Sequence, residues 1–174
     1  MNRRTIITAL SASIPAALLT PRHPRAAETS VRLRVSDVVA WIEEYAWAWE
    51  AKDADAAALL FTQNAIYEAI PGVADQTFVG REAIRTYWAS ITAGQSDVTV
   101  LHGAPMVAHD RAFVELWVTM KIPALNPEGD HWVTLIETNT LYFETCTQVK
   151  RNVEYWNMMM GYVSPPAGWG QASL

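Results

Sequence analysis

The chain has 174 residues, 51% of them hydrophobic and 18% charged, a composition that indicates one folded domain and excludes a disordered protein. Its single cysteine, Cys146, excludes an intrachain disulfide and a metal site built from several cysteines. The formal net charge of −5 argues against the basic surface that nucleic-acid binding needs, so we expect no nucleic-acid partner.

The N-terminus differs in composition from the rest of the chain and predicts an export signal. An arginine pair at 3–4 precedes an apolar stretch over 5–20, and small residues follow at 26–27. This order is typical of a secretory signal of the twin-arginine type, and the stretch is too short for a spanning helix of roughly 20 residues. We therefore expect residues 1–27 to be removed and the protein to be periplasmic or secreted, with a linker over 28–35. A disordered tail or an uncleaved anchor are the alternatives.

Three helices are predicted in the first half of the remaining chain. Apolar residues recur at helical spacing after Ser36-Asp37, which is a candidate N-cap, and predict a helix over 37–51. Asp53 predicts the start of a second, short helix. A third helix lies between Gly80 and the stop signal Gly94.

A strand over 65–70 separates the second and third helices, and after Gly94 the hydrophobic period changes to two. Four further strands are predicted there, at 98–107, 112–122, 132–143 and 149–157. Short turns between successive strands favour antiparallel pairing. The fold class expected is therefore α+β, a mostly antiparallel sheet with three N-terminal helices on one face. The domain spans 36–160, and a C-terminal tail follows over 161–174.

The strand over 112–122 has two unlike faces. One face is aliphatic, and the other combines a carboxylate, aromatic rings and a hydroxyl. Such a mixture is typical of a pocket wall, although a partly exposed face would show the same pattern. If the mixed face lines a pocket, the aliphatic row lies outside and a homodimer would cover it. The two rows are Val114, Leu116, Val118 and Met120, and Phe113, Glu115, Trp117 and Thr119.

The order of elements resembles the SnoaL-like superfamily, also called nuclear-transport-factor-2-like, over residues 36–160. The most specific match is the segment Gly-Arg-Glu-Ala-Ile at 80–84, and the segments at 42–45 and 152–157 also match. The resemblance implies a curved sheet wrapped by helices into a cone, with a deep apolar pocket that takes a small molecule, and a dimeric state.

Within that group the chain is most similar to the limonene-epoxide-hydrolase branch. Tyr67 matches the Tyr that holds the attacking water, and Ala69 stands in place of the Asn that acts with it. Glu154 matches one catalytic Asp, whereas Glu115 and Trp117 stand where the branch has an Arg and an Asp. The resemblance therefore implies a retained Tyr and carboxylate in a site whose other polar residues have changed.

Ketosteroid isomerases share the cone and offer a second comparison. Tyr45 falls near the Tyr of their oxyanion hole. Ala69 occupies the position of their catalytic base, and Ile136 lies near their second oxyanion donor. Because two of the three parts are missing, the comparison argues against that chemistry.

The candidate catalytic residues are Glu154, Glu115 and Tyr67. Two carboxylates in an apolar cavity acquire raised pKa values and tend to separate into an acid and a base. This suits a hydrolase, dehydratase, isomerase or cyclase that acts without cofactor or metal on a small apolar molecule such as a terpenoid or polyketide. The expected pocket residues are Trp117, Tyr45, Ala69, Glu137 and Asn139.

Two alternatives stay open at this point. Glu154 could pair with Arg151 or Lys150 at the rim of the sheet while Glu115 lies at the surface. The same cone could also serve as a non-catalytic binding or accessory domain, because a fold does not determine a function. The placement of Glu115, Glu154 and Tyr67 in one enclosed cavity, or their separation, distinguishes these possibilities.

Overall fold

The computed structural model describes residues 31–171, so the predicted export signal over 1–27 lies outside the described residues. The described chain forms three α-helices, one 3-10 helix and seven β-strands in a single sheet. In chain order these are α1 (Val35–Ala51), α2 (Ala54–Leu59), β1 (Phe61–Glu68), the 3-10 helix Ala74–Gln76, β2 (Thr77–Val79), α3 (Arg81–Thr92), β3 (Ser96–His102), β4 (Met106–Ala108), β5 (Arg111–Lys121), β6 (Trp132–Phe143) and β7 (Val149–Met160).

The helix ends follow local hydrogen bonding. The carboxylate of Asp37 accepts a hydrogen bond from the backbone N–H of Arg34 at 2.9 Å, so α1 begins at Val35 and the predicted N-cap at Ser36-Asp37 is wrong. Asp53 caps α2 as predicted, because its side chain accepts from the backbone N–H of Ala56 at 2.9 Å. Between residues 31 and 171 no helix has the length and apolar character to cross a membrane.

The sheet has the strand order β2-β1-β7-β6-β5-β3, with β4 paired to β5. Every pairing is antiparallel except that of β1 with β7, so the expected α+β class with a mostly antiparallel, curved sheet is confirmed. The strand predicted over 98–107 is two strands, because Pro105 lacks the N–H that would continue the ladder. The short β2 and the 3-10 helix were not predicted.

The helices pack on one face of the sheet, which we call the inner face. The apolar stripe of α1 is buried there, and the aliphatic row of β5 is part of the same core, at most 2% exposed. The expectation that this row lies outside is wrong, because the apolar stripe of a helix needs an apolar partner surface. The aliphatic row is Val114, Leu116, Val118 and Met120.

The residues after β7 fold back across the opposite, outer face. The hydroxyl of Thr134 donates to the carbonyl of Gly161 at 2.8 Å, and the N–H of Val163 donates to that hydroxyl at 3.0 Å. The indole N–H of Trp117 donates to the carbonyl of Val163 at 2.8 Å, and its ring packs edge-on against Trp169. The tail therefore buries Trp117 on the outer face of the sheet.

Candidate functional site

A cavity of about 260 Å³ lies between helices α1 and α3 and the inner face of the sheet. Its wall is mostly apolar and aromatic, interrupted by two carboxyl groups and two amides. The lining residues are Trp49, Tyr67, Ala69, Ile70, Gln76, Tyr87, Trp88, Ile91, Gln95, Met120, Ile122, Leu125, Leu135, Glu137, Glu154, Trp156 and Met158. Apolar bulk with a few placed polar groups is the usual composition of a small-molecule site.

The two carboxyl groups of the wall come from the pairing of β6 with β7. Side chains two residues apart share a face of a strand, so Glu137 and Asn139 of β6 point inward together, as do Asn152 and Glu154 of β7. The register places Asn139 opposite Glu154. All four side chains are buried, and the two carboxyl groups are 2% and 5% exposed. Carboxylates are rarely buried in this way without a function or a charged partner.

Glu154 is held through one of its two oxygens. Its Oε1 accepts hydrogen bonds from the hydroxyl of Tyr45 at 3.0 Å, from the hydroxyl of Tyr67, and from the amide of Asn152 at 3.1 Å. Among the residues that the structure describes, none donates to its second oxygen. Glu137 has a single such donor, the amide of Asn139 at 2.9 Å. The two carboxyl groups are therefore supported unequally.

The two carboxyl groups also differ in the causes that shift their pKa values. Burial raises the pKa of Glu154 to about 7, although its three hydrogen bonds act to lower that pKa. Burial and the charge of Glu154 raise the pKa of Glu137 well above its ordinary value, opposed only by Asn139. Burial and then the charge of Glu154 also raise the pKa of Tyr45 and Tyr67, which keeps both as donors.

The structure brings some of the predicted site residues together at the cavity. Tyr67, Ala69, Glu137 and Glu154 lie in its wall. Tyr45, predicted as a pocket residue, is fully buried behind the wall, where it bonds Glu154. Asn139, also predicted in the pocket, stands behind Glu137 and bonds it in the same way.

Glu115 and Trp117 are not at the cavity, and the prediction that they line it is wrong. Side chains alternate between the two faces along β5, and the residues between Glu115 and Trp117 and on either side of them point inward, so both of these side chains point to the outer face. Glu115 lies opposite Thr138 of β6 and is exposed. The alternative that placed Glu115 at the surface is right in this respect. The same alternative also paired Glu154 with Arg151 or Lys150. That part is wrong, because Glu154 lies in the cavity wall and Arg151 forms an ion pair with Glu68 at 2.6 Å.

Several residues of the site were missed from the sequence. Asn152 precedes Glu154 by two residues, so strand alternation alone could have placed it on the same face. Trp88 was assigned to the apolar side of its helix without a role in the pocket. Gln95 gives no sequence signal, because its place in the wall depends on a contact with Trp49 in helix α1. Within 31–171, no three His, Cys, Asp or Glu side chains are arranged to hold a metal ion.

Comparisons with known proteins agree with this architecture. A family model described as a SnoaL-like domain matches residues 42–143. A hypothetical protein with a ketosteroid isomerase-like fold from Catenulispora acidiphila DSM 44928, solved in complex with trimethylamine, is 20% identical with a TM-score of 0.55. The match covers 66% of this chain and 82% of that chain.

A second solved structure is the epoxide hydrolase/cyclase-like enzyme SalBIII, which has a role in pyran ring formation in the polyether salinomycin. It is 21% identical with a TM-score of 0.57, over 70% of this chain and 92% of that chain. At these identities the similarity shows the fold alone. None of the curated proteins compared with this chain matches it.

Proposed function

We propose a function on the premise that this chain belongs to the SnoaL-like domain family. The function is a cofactor-free acid–base enzyme that acts on a small, largely apolar molecule inside the cone. The observation that carries the proposal is the pair of buried carboxyl groups, Glu137 and Glu154, in the wall of an apolar cavity with unequal hydrogen bonding. Unequal environments of this kind push the pKa values of two carboxyl groups apart, which separates an acid from a base.

Each carboxyl group has a defined role in the proposed reaction. Glu154 accepts a proton from water or from a substrate hydroxyl on the oxygen that its three donors leave open. Glu137 is protonated and donates its proton to the oxygen of the bond that breaks. One proton is taken up and one is released, so the charge of the pair is unchanged by the step. Positioned proton transfer contributes roughly 10²–10⁴-fold to a rate.

The cavity limits the substrate to a small molecule. Its volume of about 260 Å³ lies below the roughly 300–1,000 Å³ of sites for drug-sized ligands. A terpenoid or a small polyketide fragment with an epoxide, ether or hydroxyl oxygen fits the apolar walls and the acid–base pair. Hydrolysis, dehydration, isomerisation and cyclisation all use the same two proton transfers. The cyclase-like and isomerase-like names of the structural neighbours are compatible with this range.

The test is turnover by the whole chain and three carboxamide variants. Purified protein is incubated with terpenoid, steroid and polyketide-like compounds, and products are followed by mass. Glu154→Gln and Glu137→Gln keep the shape of each side chain, and we expect each to lower turnover by 10²-fold or more. Ligand affinity should stay within about tenfold, or roughly 1.4 kcal/mol. Glu115→Gln is the matched control, because it removes a carboxylate from the outer face.

A second candidate is a non-catalytic binding domain for a small amine. Aromatic rings of Trp49, Tyr87, Trp88 and Trp156 share the wall with carboxyl groups, and such a combination binds ammonium ions through their charge and the ring faces. The neighbour from Catenulispora acidiphila was solved with trimethylamine. Saturable binding of trimethylamine by the wild type, without turnover of any compound in the screen, would favour this candidate over the enzyme.

Export and dimerisation belong to the same proposal. Export is supported by the order of residues over 1–27, and an exported protein would meet its substrate outside the cytoplasm. The proposed homodimer cannot use the aliphatic row of β5, which is in the core. It would use the outer face of the sheet, where the large side chains of Leu101, Phe113 and Tyr155 are exposed.

A further inference from the structure

Gln95, in the connection between α3 and β3, presents to the cavity an amide donor that no other group uses in the part of the chain described. Its side chain lines the wall, and the residue is 6% exposed. Its Oε1 accepts a hydrogen bond from the indole N–H of Trp49 at 2.9 Å. Within residues 31–171, Nε2 donates to no other group. An amide donor without a protein partner, in a mostly apolar cavity wall, is available to an acceptor atom of a bound molecule.

The orientation of this amide is held by its neighbours. A carboxamide is planar, so the bond from Trp49 to the oxygen of Gln95 directs Nε2 to the other side of the group. The backbone of Gln95 is also held. Its carbonyl accepts a hydrogen bond from the Nζ of Lys52 at 3.2 Å, and its N–H donates to the carbonyl of Thr92 at 3.1 Å. The donor is therefore prepared before any ligand binds.

Helix α1 anchors both this donor and the carboxyl group of Glu154. Tyr45 holds Glu154 and Trp49 holds Gln95, and the two aromatic residues lie four positions apart on the same face of the helix. Four residues are about one helical turn, so the backbones of these two anchoring residues are about 6 Å apart along α1. The ring of Trp88 packs against both of these rings, with centroids 5.0 Å from Tyr45 and 5.6 Å from Trp49.

We infer that Gln95 is a specificity-determining residue that donates from Nε2 to an oxygen of the substrate, in the same cavity wall as the carboxyl group of Glu154. The substrate class is an apolar skeleton with a second oxygen, in a carbonyl, ether or hydroxyl group, rather than a molecule that is hydrocarbon apart from its reacting centre. The inference rests on the proposed function, because it assumes that the cavity takes a small apolar molecule.

The test measures binding and needs no turnover. The probes are 2-adamantanone and 2-methyleneadamantane, rigid cages that differ by an oxygen in place of a CH₂ group. Dissociation constants are measured for the full chain by fluorescence of the cavity tryptophans. Gln95→Leu removes the donor, whereas Gln95→Glu keeps an acceptor for Trp49 and replaces only the NH₂ group. We expect either variant to lower the preference for the ketone by roughly threefold to tenfold.

A matched control and a direct signal complete the design. Gln63→Leu changes an exposed glutamine on β1 outside the cavity and should keep the wild-type preference. The NMR resonance of the Gln95 side-chain amide is identified as the one that disappears in Gln95→Glu. In the wild type, it should shift when the ketone is added and not when the hydrocarbon is added. An unchanged preference in both variants, with both probes bound, overturns the inference and leaves the proposed function standing. Binding of neither probe to the wild type contradicts the proposed function, and the inference falls with it.

Discussion

Replacing Glu154 with glutamine removes a titrating group from the cavity wall and leaves an oxygen that accepts the same three hydrogen bonds. We expect this variant to be more stable than the wild type at pH 8 and to have a similar stability near pH 4. The reason is that burial raises the pKa of Glu154 from an ordinary value of 4.5 to about 7. The folded chain therefore binds this proton more tightly than the unfolded chain does.

The size of the effect follows from the two pKa values. The stabilisation by the protonated form is fully present below the unfolded pKa of 4.5 and is lost as the pH rises through the folded pKa of about 7. Each pKa unit corresponds to about 1.36 kcal/mol, so the free energy of unfolding falls by roughly 3 kcal/mol across this window. Burial and the charge of Glu154 also raise the pKa of Glu137, so its contribution has the same sign and likewise begins to be lost as the pH rises above 4.5.

Urea unfolding followed by tryptophan fluorescence between pH 4 and pH 8 measures this difference. The wild type should lose stability across the window, and Glu154→Gln should lose roughly 3 kcal/mol less. Glu115→Gln, on the outer face, should follow the wild type. If Glu154→Gln shows the same dependence on pH as the wild type, the carboxyl group does not have a raised pKa and the argument for a base at this position fails.

Three further predictions test other parts of the account. Tyr45→Phe removes one of the three donors to Glu154, so the pKa of the base should rise and the ascending limb of the pH–rate profile should move to higher pH; an unmoved limb would show that Tyr45 has only a packing role. Sedimentation at micromolar concentration should give a homodimer, and a monomer would count against the outer-face interface. Mass spectrometry of protein from its native cell envelope should find chains without residues 1–27, whereas full-length protein in the cytoplasm would refute export.

The elements were predictable wherever local signals agree. Strand β6 has the predicted bounds, 132–143, because a proline- and glycine-containing loop precedes a run rich in β-branched residues. Asp53 was identified as a cap from its position before a run of alanines. The three-residue β2 was missed, because so short a strand exists only through its pairing with β1.

The site was harder to predict, because alternation along a strand separates two faces without saying which one is inside. The two rows of β5 were separated correctly, and the wrong row was assigned to the cavity. The packing of α1 decides between them, and that information is not local to β5. Glu154 and Tyr67 were identified through the family resemblance. Gln95 depends on a hydrogen bond to Trp49, 46 residues away in sequence, and no pattern in its own segment indicates it.

The position of the carboxyl pair supports a function more strongly than the fold does. Inner-face positions of β6 and β7 are otherwise suited to apolar side chains, and glutamine or leucine at 137 and 154 would avoid the cost of burying two carboxyl groups. The surrounding groups do not remove that cost, because Tyr45, Tyr67 and Asn152 leave the pKa of Glu154 raised to about 7. A structural network would pair such a charge with a basic residue, yet Arg151 on the same strand faces outward and bonds Glu68. Glu154 is therefore held in a state that can exchange a proton near neutral pH, which a packing role does not require.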